Sequence, residues 1–224
     1  MKICVIIPTY NEAKAIGKLV KQIRKQNLDV VVIDDGSSDG TAKISEDNGA
    51  VVLRNEVNQG KGASLIKGFN YALEKDFDAI ITMDGDGQHL ASDIPYFIQR
   101  ASCSESEIII GNRMDKTKSM PWIRICTNKF MSWLISSLVR QKIPDTQCGF
   151  RLIKKEVLEK VNLRTMKYET ESEILIKAAW LGFKIESIPI KTIYNNKRSR
   201  INPIVDTLRF IRFIFREIIF TRYH

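Results

Sequence analysis

Cysteine is scarce in this chain and unpaired in pattern. The four cysteines, at positions 4, 103, 126 and 148, share no short spacing, which argues against a zinc site or a disulfide framework. Long apolar runs are missing too. No uninterrupted apolar segment approaches the roughly 20 residues that a membrane-spanning helix needs, so any meeting with a membrane is expected at its surface. The opening residues, Met1-Lys2-Ile3-Cys4-Val5-Ile6-Ile7, lack the longer apolar stretch and small-residue cleavage site of a secretory leader, and the expectation is a cytoplasmic protein. Neither a Walker motif nor a complete G-x-G-x-x-G follows an apolar run, which sets aside P-loop NTPases and Rossmann dehydrogenases. There is no internal repeat and no low-complexity linker.

What is present is an ordinary globular composition with an excess of positive charge. With 224 residues, 44% of them apolar, the chain can bury one sizeable core. A formal charge of +9 attracts anions without saying which kind: nucleic acid, nucleotide phosphates or an anionic membrane face.

Short apolar runs alternate with helical periodicity. Residues 3–7, 29–33, 50–53, 78–82, 107–110 and 184–190 read as strands. Ile16, Leu19, Val20 and Ile23 mark one helix, and Leu65, Ile66, Phe69, Ala72 and Leu73 another. Helical patterns also cover 121–140 and a stretch after Glu169, while 145–151 reads as a polar loop. The alternation predicts an α/β protein, a mostly parallel sheet flanked by helices. Ligands of such sheets bind beyond the carboxyl ends of the strands. The polar, glycine-bearing segments 8–12, 34–41 and 83–89 all follow strands and should converge on one rim.

Asp84 and Asp86, in Met83-Asp84-Gly85-Asp86-Gly87-Gln88-His89, form an Asp-x-Asp at a strand end. They can face one ion if the chain turns at Gly85 and Gly87, residues that permit such turns. Magnesium or manganese suits two carboxylates, because these ions take the rest of their coordination from substrate phosphates and water. Asp34 and Asp35 end another strand, where acidic groups commonly accept hydrogen bonds from a ribose or a base. Ser37, Ser38 or Asp39 would cap the helix that follows.

Five segments then occur in family order: Pro8-Thr9-Tyr10-Asn11-Glu12, Asp34 through Thr41, Asn58-Gln59-Gly60-Lys61-Gly62, Met83 through His89, and Asp145-Thr146-Gln147-Cys148-Gly149-Phe150-Arg151. Together they resemble glycosyltransferase family 2 with the GT-A fold, nearest the dolichol- and polyprenyl-phosphate mannose or glucose synthases. The resemblance implies a catalytic domain over 1–202. Pro8, Tyr10, Glu12 and Asp35 would hold the nucleoside, Lys61 would lie near it or its phosphates, and Asp84, Asp86 and Gln88 would face Mg2+ or Mn2+ and the diphosphate. Gln147 joins the substrate contacts. An arginine after the fifth strand and an Arg-x-x-x-Ser pair position the acceptor phosphate in the related synthases; here these are Arg113, Arg124 and Asn128, with asparagine in place of serine. Of a late basic segment, Ser199 and Arg200 are kept.

The implied reaction is an inverting, metal-dependent transfer of a hexose from a nucleotide sugar of the GDP-mannose or UDP-glucose type to a polyprenyl or dolichyl phosphate. A phosphate acceptor is already anionic and needs no general base. A hydroxyl acceptor on a glycan or glycolipid is the alternative, with Asp145 as base and Glu169 or Glu171 behind it. Residues 203–224 read as a basic amphipathic helix, with Ile204, Leu208, Ile211, Phe215 and Ile218 on one stripe and Arg209, Arg212 and Arg216 on another. This helix would lie on the inner face of an anionic membrane, or pack on its own domain, a membrane protein or a second subunit. Nucleic acid is not an expected partner, because the aromatic residues fall mainly on helices and not on a basic sheet.

Overall fold

The computed structural model describes residues 1–115, 120–191 and 210–215. Seven strands form one sheet: β1 (Ile3–Thr9), β2 (Asp29–Asp34), β3 (Val51–Arg54), β4 (Ala79–Thr82), β5 (Ile108–Asn112), β6 (Arg151–Lys154) and β7 (Ile185–Pro189), in the order β3-β2-β1-β4-β6-β5-β7. Every residue of β1 is buried, which suits its near-continuous apolar run and its central place with a parallel neighbour on each side.

Helices α1 (Ala13–Arg24), α2 (Thr41–Asp47) and α3 (Lys61–Glu74) connect the first four strands. The buried residues of α1 are Ile16, Leu19, Val20 and Ile23, the periodic set expected of a helix with one face on a sheet. α3 crosses very close over the sheet: a Cβ on Gly68 would come within 2.6 Å of Ile6 Cγ2. The chain runs outward from β1 to β2 and β3, then returns to β4 on the other side of β1. The crevice between β1 and β4 is therefore the topological switch point, where ligands of open α/β sheets bind.

Three elements were not foreseen, one of them a short helix at Lys155–Lys160. α4 (Ile94–Cys103), entered through a 3-10 turn at Ala91–Asp93, buries Ile94, Phe97 and Ala101 with a proline in its first turn. β6 corrects the reading of 145–151 as loop throughout, since Arg151 opens a strand and pairs with both Thr82 and Ile110. It is antiparallel to β4 and β5, and this orientation has a consequence for the site. A reversed strand starts where its neighbours end, so the loop preceding β6 is delivered to the same rim as the segments after β1, β2, β4 and β5.

The remaining helices are α5 (Trp122–Val139), α6 (Lys155–Lys160) and α7 (Thr170–Trp180). α5 buries Asn128, Met131, Ser132, Ile135 and Val139. Its other side is open: Trp122 is 73% exposed, Trp133 63%, Ile123 48% and Phe130 44%. No helix among the described residues is long and apolar enough to cross a membrane. Most of the C-terminal segment 203–224 lies outside the described residues. Residues 210–215 are helical, and there Phe210, Phe213 and Ile214 join the apolar core while Phe215 is exposed, so the buried side of this piece is not the stripe read from the periodicity.

Candidate active site

The loops after β1 and β2 are laced together by short polar side chains. Asn11, held in the left-handed region at φ 57°, donates its N–H to Ser37 Oγ (2.9 Å) and accepts at Oδ1 from the Ser38 N–H (2.9 Å). The Glu12 N–H donates to Thr41 Oγ1 at 2.9 Å. Gly40 and Glu12 are the N-cap residues of α2 and α1, and Asp39 ties the two helix starts together, accepting from the Thr41 N–H and, at its other oxygen, from the Ala13 N–H, both at 3.1 Å. Tyr10 is 39% exposed on this rim, whereas Pro8 is buried inside β1 and shapes the strand end without offering a ligand surface.

The two aspartates after β2 divide the work. Asp34 is turned fully inward, accepting from the Ser37 N–H (3.2 Å) and lying 3.3 Å from Arg54 Nε. Asp35 is also buried, and its carboxylate accepts from Asn55 Nδ2 (2.9 Å), the Gln59 N–H (2.9 Å) and the Gly60 N–H (2.8 Å). Three donors on one carboxylate fix the turn that carries Lys61. That turn is braced from the opposite side, where the Ala63 N–H donates to Met166 O (3.0 Å) and a Cβ on Gly62 would fall 2.0 Å from Thr170 Oγ1. Only glycine fits there.

Lys61 points across the switch-point crevice. Its Nζ lies 2.6 Å from Asp84 Oδ1 and 2.9 Å from Glu171 Oε2. Burial alone would lower the lysine pKa, but Asp84 and Glu171 outweigh it and hold the ammonium above its ordinary value. Burial likewise pushes the Asp84 carboxyl up, and Lys61 together with His89, whose Nε2 is 3.4 Å away, reverses this and keeps it well below the carboxylate range. Asp86 is shifted the other way, raised by burial and by the negative charge of Asp84, even though its Oδ1 accepts from the Gln88 N–H at 2.9 Å. The chain does turn here: Gly87 has φ +75°, and a Cβ on Gly85 would come 2.6 Å from Thr9 Cγ2.

This pair fits a hard divalent cation. Asp86 is a partly desolvated carboxylate that repels its neighbour, and Asp84 already attracts an ammonium ion, so a cation of higher charge would relieve both. Among the described residues no cluster of three or more acidic, histidine or cysteine side chains is arranged to cage an ion. Two carboxylates with substrate phosphates is the pattern expected of Mg2+ or Mn2+.

The opposite end of the rim is built on Arg113 and Asp145. Asp145 Oδ2 accepts from Arg113 Nε (2.7 Å) and from the Arg113 N–H (3.1 Å), and Oδ1 accepts from Nη2 (2.9 Å). Asp145 has no exposed surface at all. Its arrangement is that of a clamp on the arginine, with both oxygens engaged. Glu171, the second candidate behind it, faces Lys61 instead.

α5 lines this end at a spacing of four residues. Ser132 exchanges hydrogen bonds with Thr146 (N–H to Oγ 2.9 Å, Oγ to Oγ1 3.1 Å), and Ser136 Oγ accepts from the Ile143 N–H at 3.0 Å. One and two turns earlier on the same face come Asn128, buried, and Arg124, half-buried. Gln147 Nε2 donates to Thr146 Oγ1 at 3.3 Å. Ser199 and Arg200 lie outside the described residues.

Three residues of the site went unassigned in the sequence. Arg151 is 2% exposed and gives its guanidinium to the carbonyls of Cys148 (2.8 Å), Thr146 (2.9 Å) and Glu171, fastening the loop before β6 to α7. Glu173 accepts from the Arg164 N–H (2.9 Å) and Thr165 N–H (2.8 Å), holding the strip that braces Gly60 and Gly62. His89 leans on Phe150 with ring centroids 5.3 Å apart. Most of these contacts are side chain to backbone across irregular loops, and only the Glu173–Lys177 spacing of four left a periodic trace in the sequence.

Comparison with known proteins places the chain in a family. The model of the family described as Glycosyl transferase family 2 matches residues 4–161. A UDP-N-acetylglucosamine--dolichyl-phosphate N-acetylglucosaminyltransferase of Methanococcus voltae is 34% identical, covering 86% of each chain. An undecaprenyl-phosphate mannosyltransferase of Micrococcus luteus is 28% identical over 85% of this chain and 83% of its own. Among solved structures, glucosyl-3-phosphoglycerate synthase from Mycobacterium tuberculosis, in complex with Mn2+, uridine diphosphate and phosphoglyceric acid, superposes with a TM-score of 0.72 at 18% identity, covering 88% of this chain and 72% of that one.

Proposed function

The chain belongs to glycosyl transferase family 2 and is a glycosyltransferase of GT-A fold, and from that premise we propose that it moves a hexose from a nucleotide diphosphosugar to a polyprenyl or dolichyl phosphate, with inversion at the anomeric carbon. The donor would be of the GDP-mannose or UDP-glucose type. The names of the two relatives support the lipid-phosphate acceptor and add UDP-N-acetylglucosamine to the donors worth assaying.

One observation carries the choice of acceptor. Asp145, the carboxylate best placed to serve as a base, is fully buried and clamped by Arg113 through both oxygens. An acceptor at this end must therefore arrive ready to attack, as a phosphate monoester does near neutral pH. Arg113 and Arg124 supply the positive charge to aim it, with Asn128 one turn on from Arg124. Asp35 sets the turn of Lys61, and Tyr10 and Glu12 border the nucleoside end. Asp84 and Asp86, with Gln88 beside them, would hold Mg2+ or Mn2+, which when bound neutralises charge on the diphosphate leaving group. The neighbouring structure crystallised with Mn2+ and uridine diphosphate supports that assignment.

The acceptor's lipid chain places the reaction at a membrane surface. The exposed row Trp122, Ile123, Phe130 and Trp133 on α5, next to Lys129, has the composition of an interfacial helix face. It lies back to back with the Arg124 and Asn128 side. A membrane held on the outer face would bring lipid phosphates within reach of the rim.

The test is product analysis. Purified protein, Mn2+ and a panel of nucleotide sugars are assayed for nucleotide release with and without polyprenyl phosphate. The expected product is a sugar phosphodiester cleaved by mild acid; a glycoside stable to mild acid would overturn the proposal in favour of a hydroxyl acceptor.

A further inference from the structure

Lys61 occupies a position that the proposed chemistry also requires for another cation. Its ammonium group sits between Asp84 Oδ1 at 2.6 Å and Glu171 Oε2 at 2.9 Å. The opposite wall is Gly149, where a Cβ would be only 3.0 Å from both oxygens of Asp84 and 2.9 Å from Glu171 Oε1. Two carboxylates from different elements thus converge on one lysine, with a bare backbone behind them. A divalent cation on Asp84 would have to share that carboxylate with an ammonium ion already in contact with it.

Both ends of the arrangement are rigid. The backbone of Lys61 is held through Gln59 and Gly60 on Asp35 and through Ala63 on Met166. The backbone of Glu171 is held by Arg151. What remains free to move is the four-carbon stem of the lysine, a flexible arm carrying a point charge.

We propose that Lys61 is the resident counterion of Asp84 and gives way to the divalent cation on loading, with Glu171 as the residue that keeps hold of it. Glu171 is then a positioning residue. It retains the ammonium within the crevice once Asp84 is taken, where the departing diphosphate needs positive charge. Metal and donor are coupled through one side chain, since the diphosphate offers Lys61 a second partner as soon as Asp84 is withdrawn. The inference rests on Asp84 and Asp86 being the cation ligands, and the experiment separates the two claims.

Mn2+ binding to the full chain is measured by the loss of the free-ion electron paramagnetic resonance signal, first without nucleotide and then with UDP or GDP. Lys61→Met is expected to bind Mn2+ at least about tenfold more tightly than the wild type without nucleotide, because a positive charge in contact with the ligand is gone. Lys61→Arg, which keeps the charge and pairs more firmly with carboxylates, is expected to bind it more weakly. This second variant guards against misfolding of the first. Glu171→Gln is expected to weaken Mn2+ binding severalfold when Lys61 is present and to matter less in the Lys61→Met background. Equal or weaker Mn2+ affinity in Lys61→Met, or equal or tighter affinity in Lys61→Arg, overturns the exchange. Mn2+ binding that survives Asp86→Asn unchanged, or no Mn2+ binding by the wild type with either nucleotide, overturns the cation assignment itself.

Discussion

At Asp145 the two possible roles of a carboxylate predict different kinetics. A base loses its rate term when it becomes an amide, and the acid limb of the pH profile goes with it. A clamp loses only the aim of the arginine it holds. Asp145→Asn is therefore expected to lower kcat/KM for the lipid phosphate by about a hundredfold through misplacement, with the shape of the pH profile unchanged; loss of the acid limb would return Asp145 to catalysis. Glu173 is the corresponding test of structure. Its side chain has no exposed surface, and although burial raises its pKa, Lys177 and the Thr165 hydroxyl and N–H prevail and lower it. A depressed carboxylate contributes stability that is present above its unfolded value and lost as pH falls through the folded one. Glu173→Gln is expected to cost about 2 kcal/mol at neutral pH in chemical denaturation, and the gap from wild type should begin to close as pH falls below about 4.3, where the unfolded carboxyl protonates, and vanish only below the depressed folded value. The aspartates of the site were legible because glycines flank them at strand ends. The partner of Lys61 was not, because the fold joins it to Glu171 across 110 residues, and Glu173 and Arg151 were not, because they bond the backbone of irregular loops whose course no periodicity announces.

Among the elements, α5 is a helix that the sequence predicts without predicting which face it buries. Its aromatics gather on one side, while the buried side holds asparagine and serine beside methionine and isoleucine, so no purely apolar stripe marks the face turned to the core. Ser132 can be buried because Thr146, in the loop before β6, bonds its hydroxyl. The aromatics are left outside. Trp122→Ala together with Trp133→Ala is expected to leave the melting temperature within about 2 °C of wild type, since exposed side chains contribute little to folding. The same pair should reduce partition onto polyprenyl-phosphate vesicles at least about tenfold, each side chain forfeiting on the order of 1 kcal/mol or more of apolar burial. Undiminished partition in a flotation assay would remove α5 from the membrane. The strands that were legible carry three or more consecutive apolar residues or, in β7, apolar residues spaced along an edge. β6 was not, since Arg-Leu-Ile-Lys has two apolar residues between charges and becomes a strand only by filling the space between β4 and β5.

At the scale of the whole molecule, the charge of +9 and the C-terminal segment bear on the same surface question. Removing residues 203–224 would look like the direct test of membrane attachment. It is a poor one, because Phe210, Phe213 and Ile214 belong to the core and their loss would destabilise the domain whatever the segment does at a membrane. Charge removal avoids this. Arg212 is exposed in the described part, and Arg209 and Arg216 share its stripe in the sequence. Replacing all three with serine should leave the core intact. If the segment meets an anionic leaflet, each arginine contributes about 1 kcal/mol, so the triple variant should bind phosphatidylserine vesicles about two orders of magnitude more weakly at low salt. The difference should shrink toward 1 M salt, where the screening length falls to about 3 Å. The two tryptophan substitutions on α5 should behave oppositely, losing the part of the binding that salt does not touch. Equal vesicle binding by the serine variant at low salt would assign attachment to α5 alone, and the positive charge of the chain would then serve the phosphates gathered at the rim.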